Sequence, residues 1–290
     1  MTAMPPADLV RNACTFLFVP ASQPERLGKA LASGADMVIA DWEDAVAPGD
    51  KNAARAALEQ AVQTLPAPER ARLLVRINPQ GTAWFDDDVR ALARLAACGV
   101  AGAVVAKAEQ ADALRQIAAT ARCALAPLIE TVAGLDAIDT LARCPQVARL
   151  AFGHIDFQVD AGMQCAQDEG ELLPARMAIV MASRRAALAK PIDGVTVDTG
   201  NAARIQSDAE RALRMGFGAK LCIHPAQVAT VNQVFAPGAE AVQHAQAVVQ
   251  AMQAAQGGVC TVGGKMVDAP VLRLAEQTLA RHAWASQRKQ

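Results

Sequence analysis

Short apolar runs recur along this chain, and each one stops on a charged or metal-ligating type of residue. The run at 37–40 meets Asp41 and then Glu43, 73–75 meets Arg76 and Asn78, and 103–106 meets Lys107. Further on, 125–129 meets Glu130, 150–153 leads to Asp156, 194–197 ends at Asp198, and 221–223 ends at His224. An earlier run at 16–19 reads as the first strand rather than a signal peptide, because Asp8 and a single Arg11 precede it and it is short. Repeated strands with polar far ends are how a (β/α)8 barrel brings side chains from many strands to one mouth.

Segments with helical spacing lie between the runs. Pro24 opens one, with Leu27, Ala30 and Leu31 at helical offsets. Asp50 is placed to cap a helix carrying Ala54, Leu58 and Val62 that Pro66 ends. Helices are also predicted at 86–98, 109–121 and 132–143. Strand and helix therefore alternate, which predicts an α/β chain with a parallel sheet. The Gln-, Asp- and Gly-rich stretch 157–173 interrupts that order and reads as an active-site lid.

A chain of 290 residues fits one such barrel with an extension. The barrel is predicted over 1–236. Beyond it, 237–290 reads as a helix over 239–255, a hairpin around Gly263 and Gly264 flanked on its other side by Gly257 and Gly258, and a last helix from Pro270 through His282. Arg288, Lys289 and Gln290 read as a solvated basic end. This tail lies past the eight strands, so it covers one end of its own barrel or reaches a neighbour.

Formal net charge is −1 with basic residues scattered, which argues against a nucleic-acid or anionic membrane surface. Although 52% of residues are hydrophobic, no apolar stretch approaches the roughly 20 residues that span a bilayer. Seven cysteines without a Cys-x-x-Cys pair read as small buried hydrophobes in a reducing cytoplasm.

Alternation places Ile39, Asp41 and Glu43 on one face of the second strand, and Leu74, Arg76 and Asn78 on one face of the third. Glu130 and Asp156, from adjacent strands, could converge. Two carboxylates plus water form a hard oxygen site suited to Mg2+ rather than zinc, although a strand-end Glu is also often a solvated or paired terminus. Arg76 reads either as a structural partner of Asp41 or Glu43 or as a cation that stabilises developing negative charge. His224 reads as a cap more readily than as a base. Nothing around Lys107 marks it as a Schiff-base lysine.

Ordered blocks along nearly the whole chain resemble one family. They are Phe18-Val19-Pro20 with Pro24-Glu25-Arg26, Asp41-Trp42-Glu43-Asp44-Ala45-Val46, Val75-Arg76-Ile77-Asn78, and Leu128-Ile129-Glu130-Thr131. Ala151-Phe152-Gly153 with Asp156, Ile223-His224-Pro225-Ala226-Gln227, and Gly264-Lys265-Met266-Val267-Asp268-Ala269-Pro270 continue the series. The likeness is to the citrate lyase β-subunit-like group of the HpcH/HpaI aldolase superfamily, which includes malyl-CoA and citramalyl-CoA lyases.

That resemblance implies a TIM barrel assembled as a homotrimer or larger homo-oligomer. It implies that Glu130 and Asp156 hold Mg2+, that Arg76 faces the carbonyl being made or broken, and that Arg26 and Lys29 handle the phosphates of coenzyme A. It also implies that Asp268 is an acid/base carboxylate supplied to the adjacent protomer. Glu43 or a metal-bound water is the candidate base for the substrate hydroxyl, with Asp41 and Asp44 orienting Arg76.

The expected activity is cleavage of a 3-hydroxyacyl-CoA of citramalyl or malyl type to acetyl-CoA and a 2-keto acid. The rival expectations are the β subunit of a citrate lyase complex acting on citryl-acyl carrier protein, and a non-catalytic thioester-binding barrel. Two positions depart from the family pattern. His154-Ile155 stands where small or acidic residues are usual, and it borders the keto-acid pocket by resemblance. Trp42 replaces a smaller apolar residue and reads as packing.

Overall fold

The computed structural model describes residues 4–256 and 258–287; Gly257 and the basic end at 288–290 lie outside the described residues. The chain divides into two compact units, Met1–Val231 and Asn232–Gln290.

The first unit is a closed barrel of eight parallel strands in chain order. They are β1 (Thr15–Pro20), β2 (Met37–Asp41), β3 (Leu73–Ile77), β4 (Gly102–Val105), β5 (Ala124–Ile129), β6 (Ala151–Phe152), β7 (Ile192–Asp193) and β8 (Ala219–Cys222). β8 pairs with β1 and closes the ring. Every residue of β2, β4 and β5 is buried, as expected for strands covered on both faces and written as near-continuous apolar runs. Met37, Ile39, Leu74, Val104, Ala126 and Leu128 belong to the central core cluster. The next positions of the same parity are Asp41, Arg76 and Glu130, so alternation carries these polar groups on to the mouth.

Helices return the chain between strands and bury one stripe each. Phe85–Ala97 buries Val89, Leu92 and Leu95, and Ala111–Ala121 buries Leu114 and Ile117. A helix that the sequence reading did not identify, Pro6–Asn12, contributes Val10 to the core cluster, which Ala13 beyond its end joins. Arg149, almost fully buried, anchors this segment through NH1 to the carbonyl oxygens of Ala13 at 2.6 Å and Val10 at 3.2 Å.

Several expectations shift. The helix read at 132–143 is two short ones, Val132–Asp136 and Ile138–Ala142. Asp50 precedes the helix Lys51–Thr64, but its side chain makes no capping bond. The seventh strand is Ile192–Asp193, not the run 194–197. Its pairing is anchored where Lys220 of β8, fully buried, donates to the Gly194 carbonyl at 2.6 Å.

The second unit has its own small core of Ala245, Val248, Met252, Val267 and Ala275. The helix Ala239–Ala254 packs on the helix Ala269–Gln287, and a hairpin joins them, β9 (Cys260–Val262) with β10 (Lys265–Val267). Its turn residues Gly263 and Gly264 have φ of +56° and +76°, the left-handed pair that a two-residue hairpin loop demands. The last helix starts one residue before Pro270 and runs beyond His282.

Candidate active site

Asp41 and Arg76 are register partners at the ends of β2 and β3. The guanidinium meets the carboxylate at two points, Nε to Oδ1 at 2.7 Å and NH2 to Oδ2 at 2.6 Å. Its remaining nitrogen lies 2.8 Å from Glu43 Oε2 and 3.5 Å from Asp44 Oδ2, and the group stands 5.0 Å over the Phe18 ring. Burial opposes the charge on Arg76, but the hydrogen-bonded Asp41 and the neighbouring Glu43 and Asp44 outweigh it and raise its pKa. Arg76 is therefore both the structural partner of Asp41 and a fixed cation at the mouth. Asp41 also accepts the Glu43 and Ala45 backbone N–H groups at 2.9 and 3.2 Å, which pins the loop carrying Glu43.

Glu43 is held from two sides, because Lys107 Nζ reaches its Oε1 at 2.8 Å while Arg76 reaches Oε2. A base at Glu43 has to exchange one of these pairs for a substrate hydroxyl. Lys107 adopts φ +43° just past β4, and this turn aims its backbone N–H at Glu130 Oε1, 2.7 Å away. Burial lowers the Lys107 ammonium's pKa, but the hydrogen bond and charge of Glu43 raise it further, which is the opposite of what a Schiff-base lysine needs.

Glu130 is 2% exposed. Burial pushes its carboxyl up to about 8; the Lys107 N–H bond pulls the other way, and the charges of Glu43 and Asp156 add to the rise. A side chain at Gly153 would put its Cβ 2.4 Å from Glu130 Oε2, so the carboxylate packs against bare backbone. Asp156 lies in the first turn of the helix His154–Asp160, rather than at a strand end. Asp41, Glu43, Asp44, Glu130 and Asp156 are met by Arg76 and Lys107 and, from behind the Glu43 loop, by Lys51, which leaves a surplus of negative charge that favours a bound cation. Among the described residues no cluster of three or more His, Cys, Asp or Glu forms a metal site. Glu130 and Asp156 both line the same chamber, and a carboxylate pair is the kind of hard-oxygen set that suits Mg2+ with its retained waters.

Asp41, Asp44, Arg76, Glu130 and Asp156 line a chamber of about 420 Å3, whereas Glu43 and Lys107 stand behind this lining, tied to it through Arg76 and Glu130. Arg76, Glu130 and Asp156 form its polar side, and Phe18, Phe152 and Leu221 part of its apolar side. A second cavity of about 450 Å3 shares Phe18, Val19, Pro20 and Ile223 with the chamber and carries Arg26, Lys29 and His224. His224 Nδ1 accepts the Ala226 N–H at 3.2 Å and so caps the helix Pro225–Phe235. Asp268 lies in the second unit, half-buried at the start of the helix Ala269–Gln287, and its Oδ1 accepts the Val271 N–H at 3.2 Å.

Asn78 does not join the mouth. Its amide donates to Asp88 at 2.7 Å and to the Trp42 carbonyl at 3.2 Å, in the layer between strands and helices. Lys51 was not found by sequence reasoning. Buried on the first turn of its helix, it donates to the carbonyls of Trp42 and Glu43 at 2.7 Å each and to Asn78 at 2.8 Å, holding the Glu43 loop from behind. Trp42 is fully buried packing, as its reading expected.

The lid expectation is corrected. The residues lining the chamber end at Asp156 in this part of the chain, and none comes from 157–173. Instead Glu169 is latched by Arg176 at 2.6 Å, Arg211 at 2.8 Å and Arg204 at 3.1 Å. Behind them Arg176 meets the buried Asp193 at 3.0 Å.

The model of the HpcH/HpaI aldolase/citrate lyase family matches residues 15–225. A citrate lyase subunit beta-like protein of Deinococcus radiodurans is 33% identical over 96% of this chain and 99% of its own. An L-malyl-CoA/beta-methylmalyl-CoA lyase of Cereibacter sphaeroides is 32% identical over 94% of this chain and 95% of its own. Among solved structures, CitE of Mycobacterium tuberculosis in complex with magnesium, acetoacetate and coenzyme A superposes with a TM-score of 0.80 at 31% identity, covering 94% of this chain and 99% of that one. No helix among the described residues is long and apolar enough to cross a membrane.

Proposed function

Because the chain belongs to the HpcH/HpaI aldolase/citrate lyase family, we propose that it is a Mg2+-dependent carbon–carbon lyase acting on a 3-hydroxyacyl-CoA of citramalyl or malyl type. The products are acetyl-CoA and a 2-keto acid. The observation that carries this reading is the chamber in which one fixed arginine faces the Glu130 and Asp156 carboxylates beside a cavity with two basic side chains. The CitE complex, with magnesium and coenzyme A bound on a similar chain, supports it.

Glu130 and Asp156 would hold the metal, and their fit rests on the buried, cation-deficient Glu130 carboxylate. When bound, Mg2+ supplies Lewis acidity to the hydroxyl and carboxylate oxygens of the substrate. Arg26 and Lys29 bind the coenzyme A phosphates. A base, for which Glu43 is the candidate, takes the hydroxyl proton as the bond between the carbinol carbon and the thioester α-carbon breaks. The released electron pair forms the thioester enolate, and Arg76, held protonated by Asp41, donates to its oxygen. Asp268 of a neighbouring copy protonates the enolate carbon, which gives this protein a homo-oligomeric site.

The test is acetyl-CoA release from (S)-citramalyl-CoA and malyl-CoA, with citryl thioesters of coenzyme A and acyl carrier protein as comparison. Cleavage of a coenzyme A substrate is expected. Activity confined to the carrier-protein thioester, or tight thioester binding without turnover, contradicts the proposal.

A further inference from the structure

Beside the main chamber lies a separate cavity of about 180 Å3, and the only lining residues the two have in common are His154 and Ile155. The backbone completes the wall just past β7, where Val195 lines the chamber and Thr196 the side cavity.

The imidazole is built into this place. His154 is 2% exposed, its ring is tilted against Phe152 at a centroid distance of 6.1 Å, and its Nε2 lies 3.7 Å from the latched Glu169 carboxylate. A Cβ at position 194 would stand 2.1 Å from His154 Nδ1, so the ring occupies space that only glycine leaves. Asp156 follows two residues later on the same helix and faces the chamber.

We propose that His154 and Ile155 are specificity-determining residues, forming a partition that limits the alkyl substituent on the keto-acid half of the substrate to about the size of a methyl group. The inference rests on the lyase reading above. With Asp156 as a metal carboxylate, the keto-acid half would be held on the side of the chamber that Gly153, His154, Ile155 and Asp156 line, which would set its substituent next to the partition. Truncating either residue opens the chamber toward the side cavity and admits two- and three-carbon substituents.

The experiment uses the full-length protein and two readouts. One is kcat/KM for cleavage of malyl-CoA thioesters carrying hydrogen, methyl, ethyl or propyl at the hydroxyl-bearing carbon. The other is calorimetric binding of pyruvate, 2-ketobutyrate and 2-ketovalerate with Mg2+ present. Wild type should lose about tenfold or more for each carbon beyond methyl, the discrimination that one methylene supports in a closed pocket. His154→Ala and Ile155→Ala should each raise the propyl-to-methyl ratio about tenfold or more in both readouts. Ile155 is 41% exposed, so its variant keeps the test decisive if His154→Ala does not fold. If wild type cleaves the methyl substrate and folded variants keep its ratio, the partition is overturned and the lyase reading stands. If no thioester is cleaved but the variants relax the order of keto-acid binding, the partition stands and the lyase reading falls. Silence in both readouts overturns both.

Discussion

Arg76 closes a two-point ion pair with Asp41, its register partner across β2 and β3, at 2.6 and 2.7 Å. The pair sets the plane of the guanidinium before any ligand arrives, so Arg76 acts as a preorganised donor. Arg76→Lys keeps the charge and loses the fork. Steady-state kinetics should show kcat down about 100- to 1,000-fold with thioester KM little changed. A near-wild-type kcat removes Arg76 from the chemistry.

Glu130, pushed up to about 8 by burial, predicts a pH-dependent metal site. In the metal-free protein this carboxyl keeps a proton that the unfolded chain has lost, so its contribution to stability is present below the ordinary pKa of 4.5 and is lost as pH rises toward about 8. Mg2+ has to displace that proton. Apparent affinity should therefore fall about tenfold per pH unit below 8, with close to one proton released per Mg2+ at pH 7 in calorimetry across buffers. An affinity that is flat from pH 6.5 to 8.5 contradicts the assignment.

His154 carries the opposite sign. Burial pushes its imidazole down to about 4, against the opposing pull of Glu169 and Asp193. The neutral ring contributes stability above the ordinary pKa of 6.5, and that contribution is lost as pH falls through 4, up to about 3 kcal/mol. Denaturant unfolding of His154→Asn should show a flatter pH dependence than wild type over that window. Parallel profiles count against a buried neutral histidine.

Asp268 tests whether the site is shared. Asp268→Ala and Arg76→Ala should each be inactive alone, and mixed protomers should recover part of wild-type activity. Absence of rescue after confirmed subunit exchange argues that Asp268 does not act on a neighbouring copy.

What the sequence made legible follows from position. Asp41, Arg76 and Glu130 extend the inward parity of long apolar strands, so alternation alone aims them at the mouth. Asn78 obeys the same parity but lies past the end of β3, where the chain has left the strand, and it turns to Asp88. The apolar run points to 194–197 rather than to β7 because two residues are too few for a period, and nothing beside Asp193 in sequence shows that Arg176 pairs with it. Lys51 carries no local mark of its role, since nothing near it in sequence shows that three acceptors surround its ammonium. The lid reading failed for a related reason. Glu169 is one acidic residue in a polar stretch, and the arginines that latch it come from two later helices.

The measurement closest to the central claim is metal-dependent turnover of (S)-citramalyl-CoA by wild type, Glu130→Gln and Asp156→Asn across a Mg2+ titration. The account predicts that wild type releases acetyl-CoA, that EDTA abolishes release and Mg2+ restores it. The two variants should need Mg2+ raised by more than the ~10- to 100-fold that losing a supporting partner costs. Cleavage that survives EDTA, or variants that titrate like wild type, would contradict it.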